Sequence, residues 1–104
     1  KGRLWVQTDH NLTGNAGTLN GAATNMTGAF GNNSMYYIDQ TSKQSKRFLV
    51  GPAGCEITGI AYTPDLKNFF INIQHPTGNW PVAGQQPRSS TIVVRRTDGQ
   101  PVGN

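Results

Sequence analysis

Glycine and proline interrupt this chain at short intervals, which leaves little room for long helices. The 104 residues include 13 glycines and 6 prolines. Breaks at this density are typical of short strands joined by turns and unlike a helix bundle. We therefore predict an all-β chain, and the length predicts one domain at most, over residues 1–104.

The cysteine count and the hydropathy pattern exclude several classes of protein. A lone cysteine, Cys55, allows neither an intrachain disulfide framework nor a zinc-ribbon site. No apolar run approaches the ~18 residues of a membrane-spanning helix. The sequence opens with Lys1-Gly2-Arg3 and enters an apolar run directly, without an initiator methionine or a signal peptide. We therefore expect a piece of a longer protein, with no segment that crosses a bilayer.

The net charge of +4 and the pI of about 9.7 raise the question of nucleic-acid binding. The basic residues are scattered, however, and cluster only at Lys43, Lys46, Arg47 and Arg95-Arg96. They form neither a stripe nor a known motif. We interpret them as solvated charge on edge strands, where charge discourages aggregation between sheets, and we expect no nucleic-acid partner.

Short apolar and alternating runs predict six strands. They are Leu4–Thr8, Ser34–Asp39, Ser45–Val50, Ile57–Thr63, Phe69–Gln74 and Ser90–Arg96. The segment Asp9–Asn33 is rich in Asn, Thr and Gly, so we predict a long loop, with a helical turn over Ala16–Ala23 as one option. Asp98-Gly99 is a hairpin signal, and we expect its partner strand to be cut off at Asn104.

The two halves of the chain repeat one pattern of turn, strand, irregular loop, strand and hairpin turn. Antiparallel strands repeated in this way predict blades of a β-propeller. The first half would supply strands two to four of one blade, and the second half strands one to three of the next. Because two incomplete blades expose an apolar face and open edges, we expect the isolated chain to be marginal, self-associated or rearranged.

The segment Gly51–Gly59 contains Glu56, the only glutamate of the chain, in a Gly- and Pro-rich frame just before a strand. A carboxylate in such a turn can point into a central channel, where a hard cation such as Ca²⁺ would accept its oxygens. The alternative is a solvent-exposed glutamate at a turn. Spacing alone leaves both interpretations open.

Asp9 follows the first strand and precedes His10 and Asn11. These side chains could ligate a metal, or Asp9 could cap the loop by bonding its backbone. His75 occupies the corresponding place after the second half's strand, either as a loop residue or as a ligand on the same rim. We interpret Cys55 as a small buried residue rather than a soft metal ligand. No catalytic triad or phosphate-binding loop is evident, so no catalytic residue is assigned.

Several segments, in the same order, resemble PhoX-type alkaline phosphatases. They are G-R-L-W-V-Q-T-D at residues 2–9, R-F-L-V-G-P-A-G-C-E-I-T-G at 47–59, T-P-D at 63–65, F-I-N-I-Q-H-P at 70–76 and R-S-S-T at 88–91. They cover most of the chain apart from residues 11–29. The resemblance is to the C-terminal part of the family.

This resemblance implies a secreted or periplasmic bacterial β-propeller that hydrolyses phosphate monoesters with calcium and iron ions at the propeller centre. By analogy, Glu56 is the first candidate metal ligand and Asp9 the second. Most ligands would come from blades outside this chain, so we expect the chain to be inactive alone. The alternative is a β-propeller module that binds ligands or has a structural role without catalysis, since one fold supports many functions.

Overall fold

The structure, a computed structural model, describes residues 2–10, 17–19, 22–24, 28 and 30–103. The strands follow each other in the order β1 (Leu4–Gln7), β2 (Gly17–Leu19), β3 (Ala22–Thr24), β4 (Ser34–Ile38), β5 (Ser45–Val50), β6 (Glu56–Tyr62), β7 (Phe69–Gln74) and β8 (Ser90–Val94). Within these described ranges, no helix is long and apolar enough to cross a membrane.

The strands form two three-stranded antiparallel sheets and one small hairpin. The first sheet has the order β1-β4-β5, the second has the order β6-β7-β8, and β2 pairs with β3. Each large sheet therefore uses the three strands that the sequence assigned to its half. The all-β prediction of two partial blades is confirmed.

The prediction of an irregular loop over Asp9–Asn33, with its optional helical turn, is wrong where β2 and β3 lie. These strands pair from Gly17 with Thr24 to Leu19 with Ala22. Only two residues separate them, and their sequence is Asn20-Gly21. Asn-Gly between two short strands is the strongest two-residue hairpin signal, and the low hydrophobicity of the flanking residues concealed it.

The inner faces of the two large sheets meet in one core. Strand β7 shows the alternation most clearly, because Phe69, Ile71 and Ile73 are buried while the residues between them are exposed. Burying one such side chain contributes about 1.5–3 kcal/mol. Trp5 of the first sheet packs edge-on against Phe69 of the second, with ring centroids 5.4 Å apart. Trp5 therefore packs at the contact between the two sheets.

The outer faces of both sheets expose apolar side chains. On β1, Leu4 is 53% exposed, whereas Trp5 is half-buried and points inward. On the second sheet, Phe70 of β7 pairs with Val93 of β8, and both are exposed. Each sheet therefore has one packed face and one partly apolar free face.

The predicted turn at Asp98-Gly99 is present, with the Gly99 amide donating to the Arg96 carbonyl at 3.2 Å. Arg96 and Asp98 close it with two hydrogen bonds, and the pKa of Asp98 is held far below its ordinary value, chiefly by the Arg96 side chain. Beyond it, the Val102 amide donates to the Leu66 carbonyl at 2.8 Å, and the Val102 side chain is buried.

Candidate functional site

Glu56 begins β6, and the strand pairing places it opposite Gln74, the last residue of β7. The next residue along, His75, therefore lies beside Glu56 as the chain leaves the sheet. The Oε1 atom of Glu56 is 2.9 Å from Nε2 of His75. The Glu56 side chain is 23% exposed and the His75 side chain 56% exposed, so solvent reaches the pair.

The turn before Glu56 is fixed by close backbone packing at two glycines. Gly51 lies against the side chains of Cys55 and Ile57, and a side chain at Gly51 would collide with both. Gly54 has φ +74° and lies against the Thr77 side chain. A positive φ together with this close approach favours glycine. The Gly-rich frame therefore sets where β6 starts and where Glu56 is held.

The chain after β7 is bound back onto this turn. The amide and the hydroxyl of Thr77 both donate to the Ala53 carbonyl, at 2.8 and 3.1 Å. His75 Nδ1 lies 3.1 Å from the Gly54 carbonyl. The His75 amide donates to Ser89 Oγ at 2.9 Å. The Gly54 carbonyl therefore orients the imidazole, and the Ser89 and Thr77 contacts hold the backbone that carries it beside the Glu56 carboxylate.

Electrostatics and backbone conformation also distinguish His75. The hydrogen bond with Glu56 is the main cause of a raised His75 pKa, because it stabilises the imidazolium ion. The backbone has φ +37°, a conformation that costs a non-glycine residue on the order of 1–3 kcal/mol. Such conformations are concentrated at functional sites, so His75 belongs to the candidate site.

Asn33 connects Asp9 to the same end of the molecule. Its buried side-chain oxygen accepts from the His10 amide at 2.8 Å and from Thr8 Oγ1 at 2.9 Å. Its side-chain nitrogen donates to the His10 carbonyl at 3.1 Å and to the Cys55 carbonyl at 2.9 Å. All four hydrogen-bonding positions of the amide are occupied. The residues next to Asp9 and Glu56 are therefore joined through one side chain.

The Asp9 carboxylate lies two residues after the end of β1. Among the described residues, nothing donates a hydrogen bond to it. The backbone that Asp9 would cap as a loop residue lies mostly outside the described residues. Asp9 lines a cavity of about 400 Å³ together with Thr8, His10, Phe30, Asn32 and Tyr36. In that neighbourhood His10 Nε2 is buried, and none of the described residues forms a hydrogen bond with it.

Cys55 lies directly before Glu56 but belongs to the core. Its side chain is 0% exposed, and burial raises the pKa of the thiol. A thiol that stays protonated is a poor metal ligand. The prediction of a buried cysteine is confirmed.

The side chains at this end of the molecule supply some of the donors that a metal site needs. Within the described part of the chain, no three His, Cys, Asp or Glu residues converge as a metal-binding group. Glu56 and His75 form a pair, and Asp9 stands apart from them. These donors fit a hard or borderline cation in kind, but they supply only part of a coordination shell.

Sequence reasoning missed Asn33 and assigned little weight to His75. Asn33 stands in Gly-Asn-Asn-Ser before β4, and nothing in that composition distinguishes it from a loop asparagine. His75 did carry a signal, since it occupies the same place after β7 as Asp9 and His10 occupy after β1. Neighbouring strand ends meet at one rim, and the pairing of Glu56 with Gln74 brings His75 there.

The fold and these strand ends define the class of protein, a part of a β-propeller with acidic and imidazole side chains at one rim. The family model of alkaline phosphatase PhoX matches residues 1–77. No curated protein matches the chain. Among solved structures, Pseudomonas fluorescens PhoX in complex with vanadate, a transition state analogue, is similar with a TM-score of 0.78 and 41% identity.

This chain belongs to the alkaline phosphatase PhoX family. The similarity to the Pseudomonas protein covers 98% of this chain and 17% of that chain. The predicted family is confirmed, and the structural likeness extends it beyond residue 77 to both sheets.

Proposed function

We propose that this chain is the C-terminal part of a metal-dependent phosphomonoester hydrolase, and that residues 1–104 form one fragment of its β-propeller. The observation that carries the proposal is the 41% identity, over 98% of the chain, to a PhoX protein that binds vanadate. Vanadate is a chemical analogue of phosphate, so it supports a phosphate ester as the substrate class. The motif segments that resemble the family include both Glu56 and Asp9.

Glu56 and Asp9 are the proposed metal ligands, and calcium and iron are the proposed ions. Bound cations in such a site neutralise the negative charge of a phosphoryl group. The chain's own contribution is to hold two carboxylates at one rim. The turn 51–55 and His75 hold Glu56, and Asn33 fixes the backbone beside Asp9.

The isolated chain is proposed to be inactive. Glu56, His75 and Asp9 are too few donors for a complete site with several ions, and the remaining ligands would come from other blades. The free apolar faces that carry Leu4, Phe70 and Val93 support self-association of the chain alone, since exposed apolar surface of this kind is usually covered. The family resemblance supports a secreted or periplasmic location.

The test is hydrolysis of p-nitrophenyl phosphate by the longer protein and by this chain at equal concentration, each with and without chelator. Chelator-sensitive activity in the longer protein and none in the chain is the expected result. Activity should fall, together with metal content, in Glu56→Gln. Asp39→Asn is the matched control, because Asp39 is a turn carboxylate that accepts backbone amides at 2.8 and 2.9 Å, a role an amide oxygen can keep.

Absence of activity in the longer protein, after supplementation with calcium and iron, would favour a propeller module that binds ligands without catalysis. Unchanged metal content and rate in Glu56→Gln would remove Glu56 from the site while leaving the phosphatase proposal intact.

A further inference from the structure

Both ring nitrogens of His75 face oxygen atoms that accept hydrogen bonds. Nδ1 is 3.1 Å from the Gly54 carbonyl, and Nε2 is 2.9 Å from Glu56 Oε1. A carbonyl oxygen can only accept, so the Nδ1 proton is the one that satisfies Gly54. In the neutral ring this assignment leaves the lone pair of Nε2 directed at a carboxylate oxygen. Two such atoms need a proton or a cation between them.

The arrangement has the two marks of a metal-binding histidine. The first is an Nδ1–H held by a backbone carbonyl, the usual way in which proteins fix the ring of a ligating histidine. The second is the spacing, since two ligand atoms at about 2.0–2.2 Å from one ion and about 90° apart, as in an octahedral site, lie about 3 Å from each other. The separation of 2.9 Å between Nε2 and Oε1, here that of a hydrogen bond, leaves the two atoms placed for such an ion.

We propose that His75 is a metal ligand together with Glu56, and that this nitrogen–oxygen pair takes a first-row transition-metal ion rather than calcium. The inference rests on the proposed role of Glu56 and deepens it. Calcium selects oxygen ligands, whereas imidazole suits ions such as zinc, iron, nickel and copper. The imidazole therefore decides which kind of ion occupies this end of the rim.

The surroundings keep the pair in place and leave it open. The His75 backbone is held by Ser89 Oγ at 2.9 Å, in a left-handed conformation with φ +37°. In the part of the chain that the structure describes, two other non-glycine residues have positive φ, Lys43 and Leu66, and both occupy tight turns between paired strands. His75 instead adopts this conformation at the entrance to a long connection, where it directs the ring towards Glu56.

Water can complete the coordination of an ion at this place. The His75 side chain is 56% exposed. A cavity of about 380 Å³ lies alongside, lined by polar groups that include Gln74 and Ser89, the neighbours of the pair. Two protein ligands and several waters make a weak site in this chain, which further donors from a longer protein would strengthen.

The experiment titrates the 104-residue chain with Zn²⁺ alone and with Ca²⁺ alone, and follows the two imidazoles by NMR. His10 is the only other histidine, so each ring resonance can be assigned by substitution. Zn²⁺ is expected to shift the His75 ring signals saturably, and Ca²⁺ is not. His75→Gln and Glu56→Gln should each weaken Zn²⁺ binding at least tenfold, as loss of a supporting group already costs about 10–100-fold. His10→Gln is the matched control and should change the affinity less than about twofold.

Backbone amide spectra of every variant verify that the two sheets remain folded. Zn²⁺ binding that Glu56→Gln abolishes and His75→Gln leaves intact would overturn the role of His75 while Glu56 keeps its own. Absence of any saturable shift at His75 would overturn the proposed pair, and so would binding lost only in His10→Gln. None of these three results bears on chelator-sensitive phosphatase activity, which tests the proposed function separately.

Discussion

The two proposed metal ligands are held in different ways, Glu56 at the start of β6 and Asp9 after the end of β1. The Glu56 carboxylate is contacted directly by an imidazole whose ring and backbone are themselves fixed. The Asp9 carboxylate has no partner among the described residues, whereas the backbone on its C-terminal side is held at two points by Asn33. One end therefore fixes the side chain and the other fixes the main chain. Because only the backbone beside Asp9 is held, the Asp9 side chain can still change its orientation to reach a ligand.

Asn33→Ala should give the largest loss of stability, because Asn33 supports both ends at once. Its amide bonds the backbone of His10 and of Cys55, and its side chain is buried. Removal of the Asn33 amide leaves the backbone groups of His10 and Cys55 without their hydrogen-bond partner. We therefore expect a loss of about 3 kcal/mol in the free energy of unfolding. Urea denaturation followed by tryptophan fluorescence measures it.

Asn72→Ala is the control for this change, since Asn72 is exposed and accepts one hydrogen bond from Thr91. We expect it to cost less than about 1 kcal/mol. Equal effects of the two substitutions would show that Asn33 does not connect the two strand ends.

Gly54→Ala should act on the Glu56 end alone and cost about 2–3 kcal/mol, from the positive φ and from collision with the Thr77 side chain. Gly78→Ala is the matched control, because Gly78 has φ +70° and nothing within 4 Å of an added Cβ. It should cost only about 1 kcal/mol. The difference between the urea midpoints of Gly54→Ala and Gly78→Ala measures the cost of the collision with Thr77. A difference near zero would mean that the Thr77 side chain moves aside freely.

Substitution of Glu56 and of Asp9 compares directly how much each carboxylate contributes to stability. Glu56→Gln removes the charged partner of His75 and should lower the urea midpoint slightly, by less than Gly54→Ala. Asp9→Asn should leave the midpoint unchanged, because no described group depends on that carboxylate. Parallel titrations of both variants measure this, and a larger loss in Asp9→Asn would contradict the assignment of a free side chain at that end.

The sequence predicted the six strands of the two large sheets and their division between the sheets, because both depend on local alternation and on turn residues. It did not predict β2 and β3, whose residues are weakly hydrophobic. It also placed Glu56 and Asp9 at strand ends. It could not predict the contact between Glu56 and His75, which depends on the register that pairs Glu56 with Gln74. It could not reveal the role of Asn33 either. An asparagine whose buried amide forms four hydrogen bonds and an asparagine in a solvated loop can have the same neighbours in the sequence. Long-range pairing decides both.

The smallest expected effect is a pH dependence confined to the Glu56 end. The His75 pKa is raised above its ordinary value of 6.5, chiefly by the hydrogen bond with Glu56. A histidine whose folded-state pKa is raised stabilises the fold fully below its unfolded-state pKa, and this contribution disappears as the pH rises through the folded-state pKa. The chain should therefore lose a little stability as the pH rises from about 6 to 8. Because His75 is exposed, solvent screening keeps the loss small.

Urea midpoints between pH 6 and 8, compared with those of His75→Gln and His10→Gln, measure this loss of stability. The slope should vanish in His75→Gln and persist in His10→Gln, and the reverse pattern would transfer the pH-sensitive contact to the Asp9 end.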